Sequence, residues 1–304
     1  TTELPLRTVW DPLSRHEVRR EVRRVDAPLV QTYMGRATRL THLPRKSGYV
    51  HVARLGGYYK LDGYRHADAW IGNTRGLCDW LVANGMPADR VFHIYNFADL
   101  PPSVEQADLV ALRHALGARD DDWLMLTSGR FVEVKGQRYA LEALARMPAE
   151  VAGRRPRLLL LGDGPLGEAL RRQAETLDIQ ERIIWAGWQQ QPAPYYHLAD
   201  MVVFPSRDGE TLGNVILEAW AYRKPLVTAA FRGAREIARH GEDALVVPCD
   251  DPAALADAME RLTRDGALQQ ALTAQGAGRL EAEFSKEVIV GQYRALYREL
   301  ISKR

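Results

Sequence analysis

From residue 122 onward, short apolar runs alternate with stretches of helical periodicity. Trp123–Thr127, Arg157–Leu161, Ile183–Ala186, Met201–Phe204, Pro225–Thr228 and Leu245–Val247 read as strands, with helices between them at Gln137–Met147, Leu166–Leu177, Asn214–Tyr222 and Ala234–His240. Strands apolar on both faces and separated by helices predict a doubly wound parallel sheet, an α/β Rossmann-like domain over residues 103–284. The first hundred residues carry the same alternation with fewer strands, at Leu29–Tyr33, Tyr49–Leu55, Ala69–Gly72 and Val91–Tyr95. They predict a smaller Rossmann-like domain over 1–102, joined to the next through Pro101–Pro102–Ser103. In the closing segment, 285–304, Val288, Val290, Tyr293, Leu296, Tyr297 and Leu300 recur at roughly helical spacing, a helix free to pack on either domain.

Composition narrows the function classes. The chain has 304 residues, enough for two cores, and its 41 basic and 39 acidic side chains nearly cancel, so no global field favours nucleic acid. The two cysteines, Cys78 and Cys249, are far apart and offer neither a disulfide framework nor zinc-ligand spacing. A reducing, cytoplasmic setting is expected. No apolar run approaches the ~18–20 residues of a membrane span, and no signal-peptide pattern opens the chain. The stretch Glu17–Arg24 sets Val18, Val22 and Val25 among Arg15, Arg19, Arg20, Arg23 and Arg24. It reads either as a basic amphipathic helix in peripheral contact with the inner face of a membrane or as a solvated face.

Candidate chemistry sits at predicted strand ends, where doubly wound sheets bind ligands. Thr127–Gly136 follows the first strand of the second domain and carries Arg130 and Lys135, either a phosphate clamp or two solvated cations. Gly162, Gly164 and Gly167 fit Gly-x-Gly-x-x-Gly, yet the next strand ends in Gly187–Trp188 with no acid for a ribose. An NAD-dependent oxidoreductase is therefore poorly supported, while a tight turn beside some nucleotide stays open. Glu210 and Glu218 flank the start of an apolar helix, about 12 Å apart at ~1.5 Å per helical residue. Glu218, beside Leu217, Ala219 and Trp220, needs a partner if buried. Gly56 and Gly57 read equally as a ligand approach or a plain turn. His51 and His93 fall within strands and read as packed, and Asp120–Asp121–Asp122 as a solvated turn.

The order Ser128–Gly129–Arg130…Lys135–Gly136, Gly162–Asp163–Gly164–Pro165, Glu210…Glu218–Ala219–Trp220–Ala221 and Lys224–Pro225 resembles the retaining GT-B glycosyltransferases of family 4 (glycosyl transferases group 1). Gly241–Glu242–Asp243–Ala244–Leu245–Val246–Val247–Pro248 and the tail Phe284…Tyr293…Tyr297 extend the resemblance over roughly residues 60–304. It implies two Rossmann-like domains facing across a cleft and transfer of a sugar from a nucleoside diphosphate sugar to a carbohydrate or glycolipid hydroxyl. No cofactor or metal is implied. Arg130 and Lys135 would neutralise the diphosphate, Glu218 would hold the ribose, and Glu210 would address the transferred sugar. The backbone of Leu212, Gly213 and Asn214 would meet sugar or phosphates, and Trp188 would lie beside the base.

Three departures qualify the resemblance. Thr211–Leu212 stands where the family has Gly–Phe, and Arg54–Leu55–Gly56–Gly57 where it often has a histidine, so no catalytic histidine is carried over. The opening strand and glycine-rich loop are missing and the chain starts at Thr1, which implies a truncated N-terminal domain. The expected role is assembly of lipopolysaccharide or another cell-envelope polysaccharide. The alternatives are a non-catalytic nucleotide-sugar-binding fragment and a GT-B epimerase or phosphorylase.

Overall fold

The computed structural model describes residues 2–4, 8, 10–43 and 48–303. The chain divides into two compact units, residues 1–96 with 287–304, and residues 97–286.

The first unit runs α1 (Pro12–Val25), β1 (Leu29–Tyr33), α2 (Met34–Leu40), β2 (Val50–Leu55), β3 (Ala69–Gly72), α3 (Arg75–Ala83) and β4 (Val91–His93). The strands pair in parallel in the order β1-β2-β3-β4. Helix α1 begins five residues before the predicted Glu17, because the Asp11 carboxylate accepts from the Leu13 and Ser14 amides and Pro12 occupies the first turn. Its valines do not form one free face: Val18 and Val22 are half-buried, whereas Val25, Leu13 and the preceding Trp10 are exposed.

One chain of buried polar groups links three elements of this unit. His51, on β2, is 2% exposed and its Nε2 lies 3.0 Å from Thr32 Oγ1, which lies 2.9 Å from Thr38 Oγ1 on α2. Burial, with His66 and His42 nearby, pushes the His51 imidazole down to about 3.

The second unit runs α4 (Gln106–Ala115), β5 (Asp122–Ser128), α5 (Gln137–Arg146), β6 (Arg155–Leu161), α6 (Gly167–Thr176), β7 (Ile183–Gly187), α7 (Ala193–Leu198), β8 (Met201–Phe204), α8 (Asn214–Ala221), β9 (Leu226–Ala229), α9 (Arg232–Ile237), β10 (Leu245–Val247), α10 (Pro252–Arg264) and α11 (Gly266–Glu283). Its six strands pair in parallel in the order β10-β9-β8-β5-β6-β7. Leu124 and Leu126 face one side of the sheet and Met125 the other, all fully buried, which is why these strands read as continuous apolar runs. The last helix, α12 (Lys286–Ser302), sends Ile289, Leu296 and Leu300 into the first unit's core with Val50, Val52 and Ile71. There Arg54 Nε donates to Tyr293 Oη at 2.7 Å, and Tyr297 bonds Gln31.

Asp122 corrects the solvated-turn reading of the Asp120–Asp122 cluster. It opens β5 with its carboxylate fully buried, accepting from the Arg119 amide, Arg155 and Arg157, and these partners hold its pKa below the usual range against the opposing effect of burial. Only Asp120 and Asp121 face solvent.

His51 sets an expected acid sensitivity. The folded state depresses its pKa, so the unfolded chain binds the extra proton first as pH falls. The stability contribution is complete above the unfolded value of about 6.5 and declines between there and the folded value of about 3, by up to ~1.4 kcal/mol per pH unit. Chemical denaturation followed between pH 7 and 4 should show this slope, and His51→Gln should flatten it.

Candidate active site

Strands β5 and β8 are neighbours, but the chain leaves β5 toward β6 on one side and continues from β8 toward β9 on the other. Loops that diverge from such a switch point open a crevice at the carboxyl ends of the strands. The loop after β5 carries Arg130 and Lys135, and the loop after β8 carries Glu210.

These loops are fixed by main-chain contacts. The Gly129 amide donates to the Leu161 carbonyl and the Phe131 amide to that of Asp163, each at 2.9 Å, which ties the first loop to the end of β6. The Arg207 amide donates to the Val134 carbonyl at 2.8 Å, tying it to the end of β8. A Cβ at Gly162 would lie 2.1 Å from the Gly129 carbonyl oxygen, and one at Gly136, whose φ is +65°, would lie 2.1 Å from that of Pro205. A Cβ at Gly164 would lie 2.5 Å from the Phe131 carbonyl oxygen, so the first two glycines of the Gly162–Gly167 motif are required by the approach of the protein's own backbone. Gly162 and Gly164 also line a cavity of about 370 Å³ with Phe131, Arg171 and Trp185, where the Arg171 guanidinium sits 4.4 Å over the indole ring.

Lys135 and Glu210 face each other directly. Lys135 Nζ is 2.7 Å from Glu210 Oε2 and 5.3 Å from the centre of the Phe204 ring. Arg130 is exposed. Beyond Glu210, Leu212 is 1% exposed, with its side chain in the core. Gly213, in the left-handed region, starts α8 without a side-chain cap of its own, which places the positive end of the helix dipole here. Because α8 begins only at Asn214, the 12 Å helical rise expected between the two glutamates covers just its second half.

Glu218, the fifth residue of α8, has the partner its surroundings demand. The Tyr196 hydroxyl on α7 donates to Glu218 Oε2 at 2.5 Å, and the Tyr196 ring, 1% exposed, stacks on Tyr222 with centroids 4.7 Å apart. Burial raises the Glu218 pKa, with the Tyr196 hydroxyl and the Lys135 charge opposing it; burial and the adjacent carboxylate push the Tyr196 phenol well up. Glu218 and Asn214 open on a cavity of about 250 Å³ whose other walls include Phe97, Leu100, Pro192 and Tyr196.

The sequence-predicted residues are therefore distributed over several places. Lys135 pairs with Glu210, Asn214 and Glu218 share one cavity, and Gly162 and Gly164 share another. Trp188 is 71% exposed and lines neither cavity. Gly56 and Gly57 follow β2 in the first unit, Gly57 against the ring of Tyr59. Sequence reasoning missed Tyr196, Trp185 and the segment Phe97–Pro102. The need of a buried acid for a donor was the one available signal for Tyr196. No cluster of three or more His, Cys, Asp or Glu side chains suited to a metal ion occurs among the described residues.

Residues 123–265 match the family described as glycosyl transferases group 1. The lipopolysaccharide core biosynthesis glycosyltransferase LpsE of Rhizobium meliloti is 31% identical over 279 residues, 91% of this chain and 77% of that protein. This chain belongs to the group 1 glycosyltransferases. LpsD of the same organism, also a lipopolysaccharide core biosynthesis glycosyltransferase, is 29% identical over 294 residues, covering 96% of this chain and 81% of its own. The fold of the transferase is GT-B. Anabaena HepE, whose crystal structure contains UDP and glucose, superposes with a TM-score of 0.84 over 95% of this chain and 82% of its own, at 20% identity.

The loop contacts in the transferase are testable at Gly136. Gly136→Ala combines a left-handed backbone with a clash against a carbonyl, so a loss of about 1–3 kcal/mol is expected, read as a lowered unfolding midpoint.

Proposed function

We propose that the enzyme transfers a sugar from a nucleoside diphosphate sugar to a hydroxyl of a carbohydrate or glycolipid, with retention of anomeric configuration and without a divalent ion. The observation that carries this reading is Glu218, a carboxylate on an apolar helix at a cavity wall, with one oxygen held by Tyr196. A ribose diol would donate to the other. The diphosphate would lie toward the start of α8, where helix N–H groups, Arg130 and Lys135 supply positive charge.

The pairing of Lys135 with Glu210 refines the roles taken from the resemblance. An ammonium held 2.7 Å from a carboxylate marks a place where a phosphate oxygen and a sugar hydroxyl would be neighbours. Glu210 would accept from hydroxyls of the transferred sugar, and Lys135 would remain for the leaving phosphate. For retention, the acceptor hydroxyl attacks the anomeric carbon on the face that the diphosphate leaves. The acceptor proton passes to the departing phosphate oxygen, so neither glutamate acts as a base. Charge on the leaving group is stabilised by Arg130, Lys135 and the helix terminus.

The descriptions of LpsE and LpsD support a role in lipopolysaccharide or related cell-envelope synthesis. Peripheral contact with the inner face of the membrane fits α1, with exposed Arg19, Arg20 and Arg23 and, at its start, exposed Trp10 and Leu13. Among the described residues, no helix is long and apolar enough to cross a membrane.

Mass spectrometry of nucleotide sugars incubated with lipopolysaccharide acceptors, with the product anomer read by NMR, tests the reading. Retention and full turnover in EDTA are expected; inversion or EDTA inactivation would refute those parts. Arg130→Ala and Lys135→Ala should each lower turnover about 10²–10³-fold, the usual effect of removing one transition-state donor. Glu218→Ala should weaken nucleoside diphosphate binding at least about tenfold, and wild-type affinity would remove its ribose role.

A further inference from the structure

A third cavity, of about 340 Å³, is lined only by residues of the first unit and contains none of the residues assigned above to the donor sugar, its diphosphate or its nucleoside. Its walls bring together Arg15 from α1, Arg39 from α2, Lys60 from the loop after β2, the imidazoles of His42 and His66, and the indole of Trp10. Against three full positive charges the wall sets one acid, Asp62. Three cations from three separate elements are not expected to converge without an anion, since each approach adds repulsion.

Arg39 is the informative member. Its side chain lies across Gly63, where an added Cβ would meet Arg39 Nε at 2.3 Å, so packing holds the guanidinium in place. Its Nε is buried and has no hydrogen-bond acceptor among the described residues. With Nε closed off by Gly63, the terminal nitrogens of the guanidinium are left to meet an anionic oxygen from the cavity. The histidines are fixed as well: His66 Nε2 lies 3.0 Å from the carbonyls of both Thr38 and Thr41, and His42 stacks on His66 with centroids 3.8 Å apart. Burial, His66, Arg15 and Arg19 push the His42 pKa down to about 4, as expected where the local potential is positive.

We propose that this cavity is a phosphomonoester site, with the Arg39 and Arg15 guanidiniums and the Lys60 ammonium on the phosphate oxygens and the carbon skeleton of the ligand against the Trp10 ring. The net wall charge of two, after Asp62, matches a dianionic phosphate rather than a single carboxylate, and planar guanidinium forks suit its oxygens. The volume falls at the lower end of the ~300–1,000 Å³ of small-molecule pockets, more than a bare anion fills. The same chemistry is presented by a soluble sugar phosphate and by a phosphorylated lipid headgroup. The site does not depend on the transfer reaction, and its test reads binding alone.

Trp10 offers a fluorescence readout, supported by calorimetry. The full chain is titrated with glucose 6-phosphate, glucose and inorganic phosphate, and in parallel with vesicles of phosphatidylcholine with or without phosphatidic acid. The expected result is saturable binding of glucose 6-phosphate, or phosphatidic-acid-dependent vesicle binding, with glucose and pure phosphatidylcholine inert. The first outcome identifies a soluble ligand and the second a lipid headgroup. Arg39→Gln and the exposed Lys60→Ala should each weaken that binding at least tenfold while nucleoside diphosphate binding to the second unit is unchanged, and an unaltered near-ultraviolet circular dichroism spectrum and unfolding midpoint verify that the first unit of both variants is folded. Binding that is equal for glucose and its phosphate, absent for all phosphate probes, or unaffected by both substitutions would overturn the proposal.

Discussion

The second unit depends on main chain packed against main chain at the carboxyl ends of its strands. Gly136 rests on the carbonyl of Pro205, and Gly162 on that of Gly129, with no room for even one methyl group between them. These contacts lock the loops after β5, β6 and β8 into one platform, reinforced by amide bonds from Gly129, Phe131 and Arg207. Arg130, Lys135 and Glu210 project from that platform, so their geometry follows from backbone rather than from flexible side-chain packing. A site that must stabilise charge without reorganising benefits from such a base.

Electrostatics on this platform are settled by short-range pairing. Glu218 would be unfavourable on α8, whose neighbours are almost all core residues, were it not for the Tyr196 hydroxyl and the nearby Lys135. The Asp122 carboxylate at the opposite end of β5 is more deeply buried and is held by two arginines and an amide. The contrast separates an acid that staples strands together from one that faces a cavity. Asp243 belongs with the first kind: Arg279 and the Arg239 amide hold its carboxylate, while its carbonyl takes the Trp220 indole N–H.

The strands of the second unit were legible because burial on both faces leaves an unbroken apolar signature; Met201–Phe204 and Leu245–Val247 agree to the residue. Helix α2 was not, since seven residues, with Gly35, Arg36 and Arg39 among them, carry too little periodicity. Asp122 was misread because its arginine partners lie more than thirty residues downstream, and no local pattern reports such a pairing. Tyr196 escaped for the same reason, standing 22 residues before the carboxylate it serves. The resemblance to group 1 glycosyltransferases supplied roles for Arg130, Lys135, Glu210 and Glu218, but it gave no sign that Lys135 and Glu210 touch.

Helix α12 comes last in the chain yet completes the core of the unit that comes first, closing Ile289, Leu296 and Leu300 over Val50, Val52 and Ile71. Synthesis on the ribosome therefore delivers the two units in an unusual order. The first sheet emerges early, then waits while residues 97–286 are added, roughly 10–40 s at about 5–20 residues per second. Throughout that interval the apolar face that α12 will cover has no lid, whereas the second unit already possesses all of its own strands and helices. The later-encoded unit can thus reach its native state before the earlier one.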